Sequence, residues 1–253
     1  MGIAISATDQ ILHTKKRKPQ NFNGSILQLG KQDIYFNYEK LIERAKIFGL
    51  DLNEIEISTV TNPWTHQIVL DDVTFFKSLG FNDVQSLDYV GDEGATIVWD
   101  LNEPVPDELH SKFDVIFDGG TLEHVFDVAT VFKNIHAMLK PNGLIMHDNP
   151  TNNFVDHGFW QINPTVHADT YQINDYEIVD IFISVFSSDQ NMHEESPHIR
   201  ATYDPILFQS ISIGQFPNGI GNTFMSAIKP SKFANFIKPT QGFYKRHWNN
   251  ISN

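Results

Sequence analysis

The sequence predicts an α/β fold in which a mainly parallel sheet carries helices on both faces. Three observations predict it. Short β-like runs alternate along the chain with helix-like runs. Several of the β-like runs end in Asp or Gly, the residues that turn a strand toward a ligand crevice. The 253 residues, 41% hydrophobic and 12% aromatic, are enough to bury the core of one large domain.

Residues 1–23 read as a polar N-terminal arm containing the basic run Lys15-Lys16-Arg17-Lys18. Residues 24–253 read as one domain with insertions near 50–67 and 149–175. Ser25-Ile26-Leu27-Gln28-Leu29-Gly30 is a short buried strand ending in Gly. Leu41, Ile42, Ala45 and Phe48 then recur at helical spacing, and Gly49 stops the helix. Around Pro63-Trp64 the pattern is irregular. Residues 70–80 suit a capped helix, with Asp71 or Asp72 at its start and Gly80 at its end.

Strands are expected at 84–89, 95–99, 113–117 and 144–147. Between the last two, Val128, Val131, Phe132, Ile135, Met138 and Leu139 share one helical face. Asp127 caps its start, and Pro141-Asn142-Gly143 ends it. The long apolar run 178–186 and the run 224–228 suit two further strands. Residues 149–175, with Pro150, Pro164 and many aromatic and His residues, read as a long loop of the kind that carries function.

Composition removes several function classes. The formal charge is −13, which opposes the counterion release that non-specific nucleic-acid binding needs. With zero Cys there is no disulfide, thiolate metal site or thiol nucleophile. No stretch approaches the ~18 apolar residues of a membrane span, and the N-terminus lacks the order of a signal peptide. Met1-Gly2-Ile3-Ala4-Ile5-Ser6 fits an acylation pattern, but a single acyl chain would anchor an acidic body poorly. A cytoplasmic protein without nucleic-acid or membrane partners is expected. The sequence carries no P-loop, G-x-S-x-G or G-x-G-x-x-G motif.

Gly30, Asp88, Asp100, Asp118-Gly119-Gly120 and His147-Asp148 fall at the predicted strand ends. Each Asp alone is a common turn former. As an ordered set, the carboxylates suit ribose hydroxyls, an adenine amino group or a cationic ligand, with Mg²⁺ as the competing use.

Val115-Ile116-Phe117-Asp118-Gly119-Gly120-Thr121-Leu122-Glu123-His124-Val125 resembles the fourth-strand region of class I S-adenosylmethionine-dependent methyltransferases. Ile135-His136-Ala137-Met138-Leu139-Lys140-Pro141-Asn142-Gly143-Leu144-Ile145 is similar to the helix, Leu-Lys-Pro turn and fifth strand of that family. The resemblance implies a Rossmann-like, mainly parallel seven-stranded sheet ending in an antiparallel hairpin, and S-adenosylmethionine as cofactor. It assigns Gly30 to the methionine side and Asp88 to the ribose. Asp100 and Leu101 flank the adenine, and Asp118 and Gly119 face the sulfonium. One departure stands out: where the family has acidic–apolar–Gly–x–Gly–x–Gly, this chain has Gln28-Leu29-Gly30-Lys31-Gln32-Asp33. A Cβ in place of glycine hinders close backbone approach.

Methyl transfer to oxygen or nitrogen gains from a general base, and His is matched to neutral pH. His157, in Val155-Asp156-His157-Gly158-Phe159-Trp160, is the first candidate and His147 the second. His157 equally suits a loop anchor, and His124 is better read as holding its turn by hydrogen bonding. A metal site from His147, Asp148 and His157 lacks ligand spacing, so no metal is expected. Phe159, Trp160 and Tyr171 are candidate linings for a small-molecule or saccharide-like acceptor. The altered glycine motif supports an alternative, a non-catalytic binding or scaffold protein of the same fold. Oligomeric state is not legible in the sequence.

Overall fold

In a computed structural model of the chain, residues 2–188, 196–197, 199–205, 208, 218–232 and 234–244 are described. β1 (Gly2–Ile3) leads into α1 (Ile5–Arg17), and β2 (Ser25–Leu29) is followed by β3 (Asp33–Ile34) and α2 (Tyr38–Phe48). A small hairpin, β4 (Thr59–Thr61) with β5 (Ile68–Leu70), precedes α3 (Asp72–Ser78), β6 (Asp83–Asp88) and β7 (Ile97–Val98). β8 (Phe113–Asp118), α4 (Val128–Met138), β9 (Leu139–Asn152) and α5 (Pro164–Ile173) follow. β10 (Glu177–Phe186), β11 (Ile199–Thr202) and β12 (Ile220–Ile228) complete the described elements.

The main sheet has the order β11-β10-β12-β9-β8-β2-β6-β7. β7, β6, β2, β8 and β9 are parallel, whereas β12, β10 and β11 pair antiparallel at the other side. The sheet therefore has eight strands where seven were expected. The eighth, β11, pairs with residues Phe182 to Val185 of β10. It covers backbone that a ten-residue strand would otherwise leave open at the edge. None of its own four residues is buried, three being exposed and one half-buried, so they carry no legible alternation.

From β2 the chain builds outward to β6 and β7 on one side and to β8 and β9 on the other. Open α/β sheets carry their ligand crevice at such a reversal, which here falls at the carboxyl ends of β2 and β8. β8 is buried on both faces, with Val115, Ile116 and Phe117 all 0% exposed, which accounts for its unbroken apolar run. One core lies between the sheet and α4 and α5, and includes Val131, Phe132, Ile135 and Met138. The other lies beneath α1 and α3, and includes Ile11, Leu12, Phe75 and Phe76.

The caps expected from sequence form. Asp71 accepts from Thr74 N–H at 2.7 Å, and Asp127 accepts from Thr130 N–H at 3.1 Å. α2 ends at Gly49, whose φ is 68°. The expected strand at 95–99 shrinks to Ile97–Val98, and the one at 144–147 grows into the fourteen-residue β9.

Residues 2–17 are not the solvated arm expected from their polarity. Ile3, Ile5, Ala7, Ile11 and Leu12 enter the second core, and polar residues between them are buried too: Thr8 donates to Ala4 O at 2.9 Å, whereas the Gln10 carboxamide has no hydrogen-bond partner among the described residues. Arg44 grips Asp9 through two hydrogen bonds of 2.7 and 2.6 Å. The basic run is likewise engaged. Lys15 donates to Leu79 O, Arg17 pairs with Asp180, and Lys18 pairs with Glu177. Lys15, Lys16 and Arg17 occupy the last turn of α1, where the helix dipole favours them. Met1 lies outside the described residues. The expected loop at 149–175 also contains α5, which Asn163 caps and Pro164 opens. Among the described residues no helix is long and apolar enough to cross a membrane.

Candidate functional site

The crevice floor begins where β2 ends. Gly30, at φ 72°, turns the chain and donates to Leu87 O at 2.8 Å, holding the end of β2 against β6. Asp88 closes β6, and both of its oxygens accept backbone N–H groups: Lys31 at 3.0 Å and Tyr89 at 2.7 Å. Tyr89, Val90 and Val98 around it are exposed, so this stretch of the crevice is open. Asp100 accepts from the backbone and side chain of Asn102 at 2.9 and 2.8 Å. Leu101 does not line the crevice, because its side chain is 5% exposed and packs into the first core.

Lys31 and Gln32 follow Gly30 where the resembling family carries a glycine-rich turn. Lys31 pairs with Asp72 at the start of α3. The Gln32 carboxamide tucks between the ends of β2 and β8 and donates to Leu29 O at 2.9 Å and Gly30 O at 3.3 Å. Its Oε1 is buried and has no hydrogen-bond partner among the described residues. Gly119 passes so close that a Cβ there would lie 2.4 Å from this oxygen and 2.6 Å from the Phe117 ring.

Asp118, fully buried, organises the opposite wall. It accepts from Thr121 and Leu122 N–H at 3.0 and 3.2 Å, from His147 Nδ1 at 2.7 Å and from Asn149 Nδ2 at 2.9 Å. Burial alone would raise its carboxyl, but these hydrogen bonds outweigh burial and hold it below the usual value. Because an ionised carboxylate only accepts, His147 carries its proton on Nδ1, and Nε2 accepts from the Tyr171 hydroxyl at 2.7 Å. His147 is thus buried with both nitrogens committed, which removes it from the surface a substrate would reach. Tyr171, expected in an acceptor lining, is instead a buried partner of His147.

His157 sits at the rim with its side chain 47% exposed. Its ring centroid is 5.0 Å from that of His124, and its Nε2 is 3.8 Å from Glu123 Oε1. Glu123 is 1% exposed, and Asn149 Nδ2 reaches its Oε2 at 3.2 Å. Burial, reinforced by the charge of Asp118, pushes its carboxyl up to about 8. Burial and the neighbouring His157 lower the His124 imidazole. Phe126, Phe159 and Trp160 form an exposed aromatic cluster on this rim. The structure does not gather His147, Asp148 and His157 into one ligand set. Glu123 and Asn149 were missed in the sequence, where only their place after predicted strands pointed to them.

Asp148 gives a pH dependence. Burial raises its carboxyl to about 7. The Asn222 hydrogen bond at 3.2 Å opposes the rise, and the Asp118 charge adds to it. The folded state therefore holds a proton that the unfolded chain releases near pH 4, and stability falls as pH rises through about 4 to 7. From pH 8 to pH 6 the protein gains up to about 1 kcal/mol from this group. Thermal melts at both pH values check it, since Asp148→Asn removes that share of the gain. An unchanged pH response in the variant would refute the assignment.

A methyltransferase-domain family model matches residues 36–201, well over half of the chain, beginning just beyond the Gly30 turn. Among solved structures, the chain is similar to an S-adenosylmethionine-dependent methyltransferase from Archaeoglobus fulgidus (10% identity, TM-score 0.43, 88% of this chain and 94% of that one). A second, from Mesorhizobium loti, gives 13% identity and a TM-score of 0.41 over 86% of this chain and 100% of that one. The Burkholderia thailandensis 1,6-didemethyltoxoflavin-N1-methyltransferase, solved with S-adenosylhomocysteine, gives 12%, 0.38, 89% and 80%. A 94-residue stretch is also 32% identical to part of an alanine–tRNA ligase from Polaromonas sp. (strain JS666 / ATCC BAA-500). That stretch covers 37% of this chain and 10% of the ligase, so the chain spans about a tenth of the length of this curated relative. The domain match carries the assignment, and the chain belongs to that methyltransferase-domain family.

Proposed function

We propose that the chain transfers a methyl group from S-adenosylmethionine to an oxygen or nitrogen of a small-molecule or saccharide-like acceptor, in the cytoplasm. The observation that carries this reading is the crevice at the β2 and β8 ends, with Asp88 beside open surface and an unpartnered buried oxygen on Gln32. The residues fit the cofactor. Asp88 would hold the ribose hydroxyls, and Asp100 the adenine side. Gln32 Oε1, lacking a donor, would accept from the cofactor's ammonium group beside Gly30 and Gly119. When bound, the cofactor supplies an electrophilic methyl group on a sulfonium.

Asp118 has a different part from the one the resemblance implies. With four hydrogen bonds already accepted, it sets the position of His147, Asn149 and the Thr121–Leu122 backbone instead of meeting the sulfonium directly. His157 is the imidazole placed to draw the acceptor's proton, since it lies at the rim with Glu123 behind it. A cavity of about 710 Å³ opens at the end of β9, lined by Asn152, Thr165, Asp169, Gln172, Tyr203 and Phe208 among others. That volume suits a small ligand. Amide, hydroxyl and carboxylate groups beside aromatic rings suit a polyol or sugar.

One observation favours the non-catalytic alternative. The Gln32 side chain and the Lys31–Asp72 pair occupy space that a glycine turn would leave for the cofactor. Calorimetric titration with S-adenosylmethionine and S-adenosylhomocysteine decides between them. Binding in the micromolar range is expected. Absence of binding at millimolar ligand would overturn methyl transfer and favour the scaffold.

A further inference from the structure

Glu123, His124 and His157 come from two separate segments and meet at the rim of the crevice. One donor atom from each lies within 4.8 Å of the other two. Glu123 Oε1 is 3.8 Å from His157 Nε2 and 4.0 Å from His124 Nε2, too long for a hydrogen bond to either. Two ligands bound to one ion at about 2.0–2.2 Å stand roughly 3–3.5 Å apart. To share an ion, each imidazole must close on Glu123 Oε1 by roughly half an ångström, and the two imidazole nitrogens, already within 4.8 Å, must close to about 3.5 Å.

The surroundings hold this arrangement in place. Asn149 donates to the Oε2 of Glu123, which leaves Oε1 toward the imidazoles, the kind of outer support that orients metal ligands. The segment bearing His157 is pinned across the Glu123 turn. Trp160 N–H donates to Glu123 O at 3.2 Å, and Trp160 Nε1 donates to Val125 O at 3.1 Å. Between these anchors, Gly158 runs so near that a Cβ would lie 2.9 Å from Glu123 O and 3.2 Å from His124 Nδ1. Only a residue without a side chain brings His157 this close.

We propose that Glu123, His124 and His157 bind one divalent transition-metal ion, with a coordination position left open toward the acceptor. Two imidazoles and one carboxylate suit Zn²⁺, Mn²⁺, Co²⁺ or Fe²⁺, whereas Ca²⁺ takes a cage of oxygens. Three protein ligands with an open position are the pattern of sites that do chemistry. The half-exposed imidazoles leave that position facing solvent and the Phe126, Phe159 and Trp160 rings. The role of the ion, though not its binding, rests on the methyl-transfer reading. A hydroxyl bound to the ion loses its proton to solvent more readily, and His157 then assists as a ligand and not as the direct base.

The test uses the full chain, stripped with a chelator and then titrated with ZnCl₂ and MnCl₂ by calorimetry and with CoCl₂ by visible absorption. One equivalent of metal is expected, with cobalt d–d bands. His124→Ala, His157→Ala and Glu123→Gln each lower affinity by at least about tenfold. His110→Ala, at an exposed histidine outside the cluster, leaves it unchanged. Circular dichroism melts verify that each variant is folded, and the two histidine variants alter half-exposed side chains. Failure of the wild type to bind one equivalent, or retention of its affinity in both histidine variants, overturns the site. S-adenosylhomocysteine is titrated into the same samples. Metal binding without it overturns the methyl-transfer reading alone, whereas its binding without metal overturns the metal site alone.

Discussion

Asp118→Ala is expected to lower the free energy of unfolding by about 3–5 kcal/mol, read as a fall in the urea midpoint at constant slope. The carboxylate is 0% exposed and accepts four hydrogen bonds. Alanine would leave four buried donors without an acceptor, each worth about 1–3 kcal/mol if nothing replaces it, and local relaxation makes the total less than the sum. Asp118→Asn is the informative companion. Its Oδ1 still accepts from Thr121 and Leu122. Its amide group must donate to His147 Nδ1, which turns that imidazole to its other tautomer and Tyr171 O into an acceptor. Asn149 alone then faces a like donor, so the loss should fall to about 1–2 kcal/mol. An alanine variant within about 1 kcal/mol of wild type would show that the network does not hold the strand end.

The same network shows where the sequence stops being informative. β8 and α4 were legible because local pattern and tertiary role agree. β8 is apolar at every buried position before Asp118, and α4 has its stripe and its Asp127 cap, although it ends at Met138 and the Pro141-Asn142-Gly143 expected to stop it lies in β9. α1 was not legible. Its contacts with the second core use Ile5, Ile11 and Leu12 at helical spacing, but Asp9, Gln10 and Thr14 are buried beside them. Burial of Asp9 depends on Arg44, a residue of another helix that no local rule pairs with it. α5 hides for a related reason. Its apolar residues do not form a single stripe, and only Asn163-Pro164 announces its start.

At the site, the strand-end residues Gly30, Asp88 and Asp118 could be read from their positions after apolar runs. Their partners could not. His147 and His157 look alike in sequence, each a histidine with an Asp next to it, one ending a predicted strand and the other in the long loop that follows. In the fold one is clamped between Asp118 and Tyr171, and the other stands at the rim. The difference is made by α5, which delivers Tyr171, and by the 153–160 segment folded over the Glu123 turn. Both are tertiary events, with no signal in spacing.

Asp88→Ala is expected to weaken S-adenosylhomocysteine binding by about 1.5–3 kcal/mol, roughly 10- to 150-fold. Two effects could produce such a loss, and they separate by experiment. The carboxylate can act directly, by accepting the ribose hydroxyls. It also acts locally, because Lys31 N–H donates to one of its oxygens and that contact holds the turn after Gly30. Direct action at the ribose predicts that adenosine alone loses the same factor as S-adenosylhomocysteine, since both carry the sugar. Action through the turn predicts that adenosine is spared, because the proposed pose sets the turn on the methionine side. Asp88→Asn sharpens the comparison. It keeps an acceptor for Lys31 N–H but removes the charge, so it should restore the turn while leaving most of the ribose loss. Equal affinity in wild type and Asp88→Ala would exclude both roles. Adenosine and S-adenosylhomocysteine falling together in Asp88→Ala, with Asp88→Asn remaining weak, would place the carboxylate on the sugar.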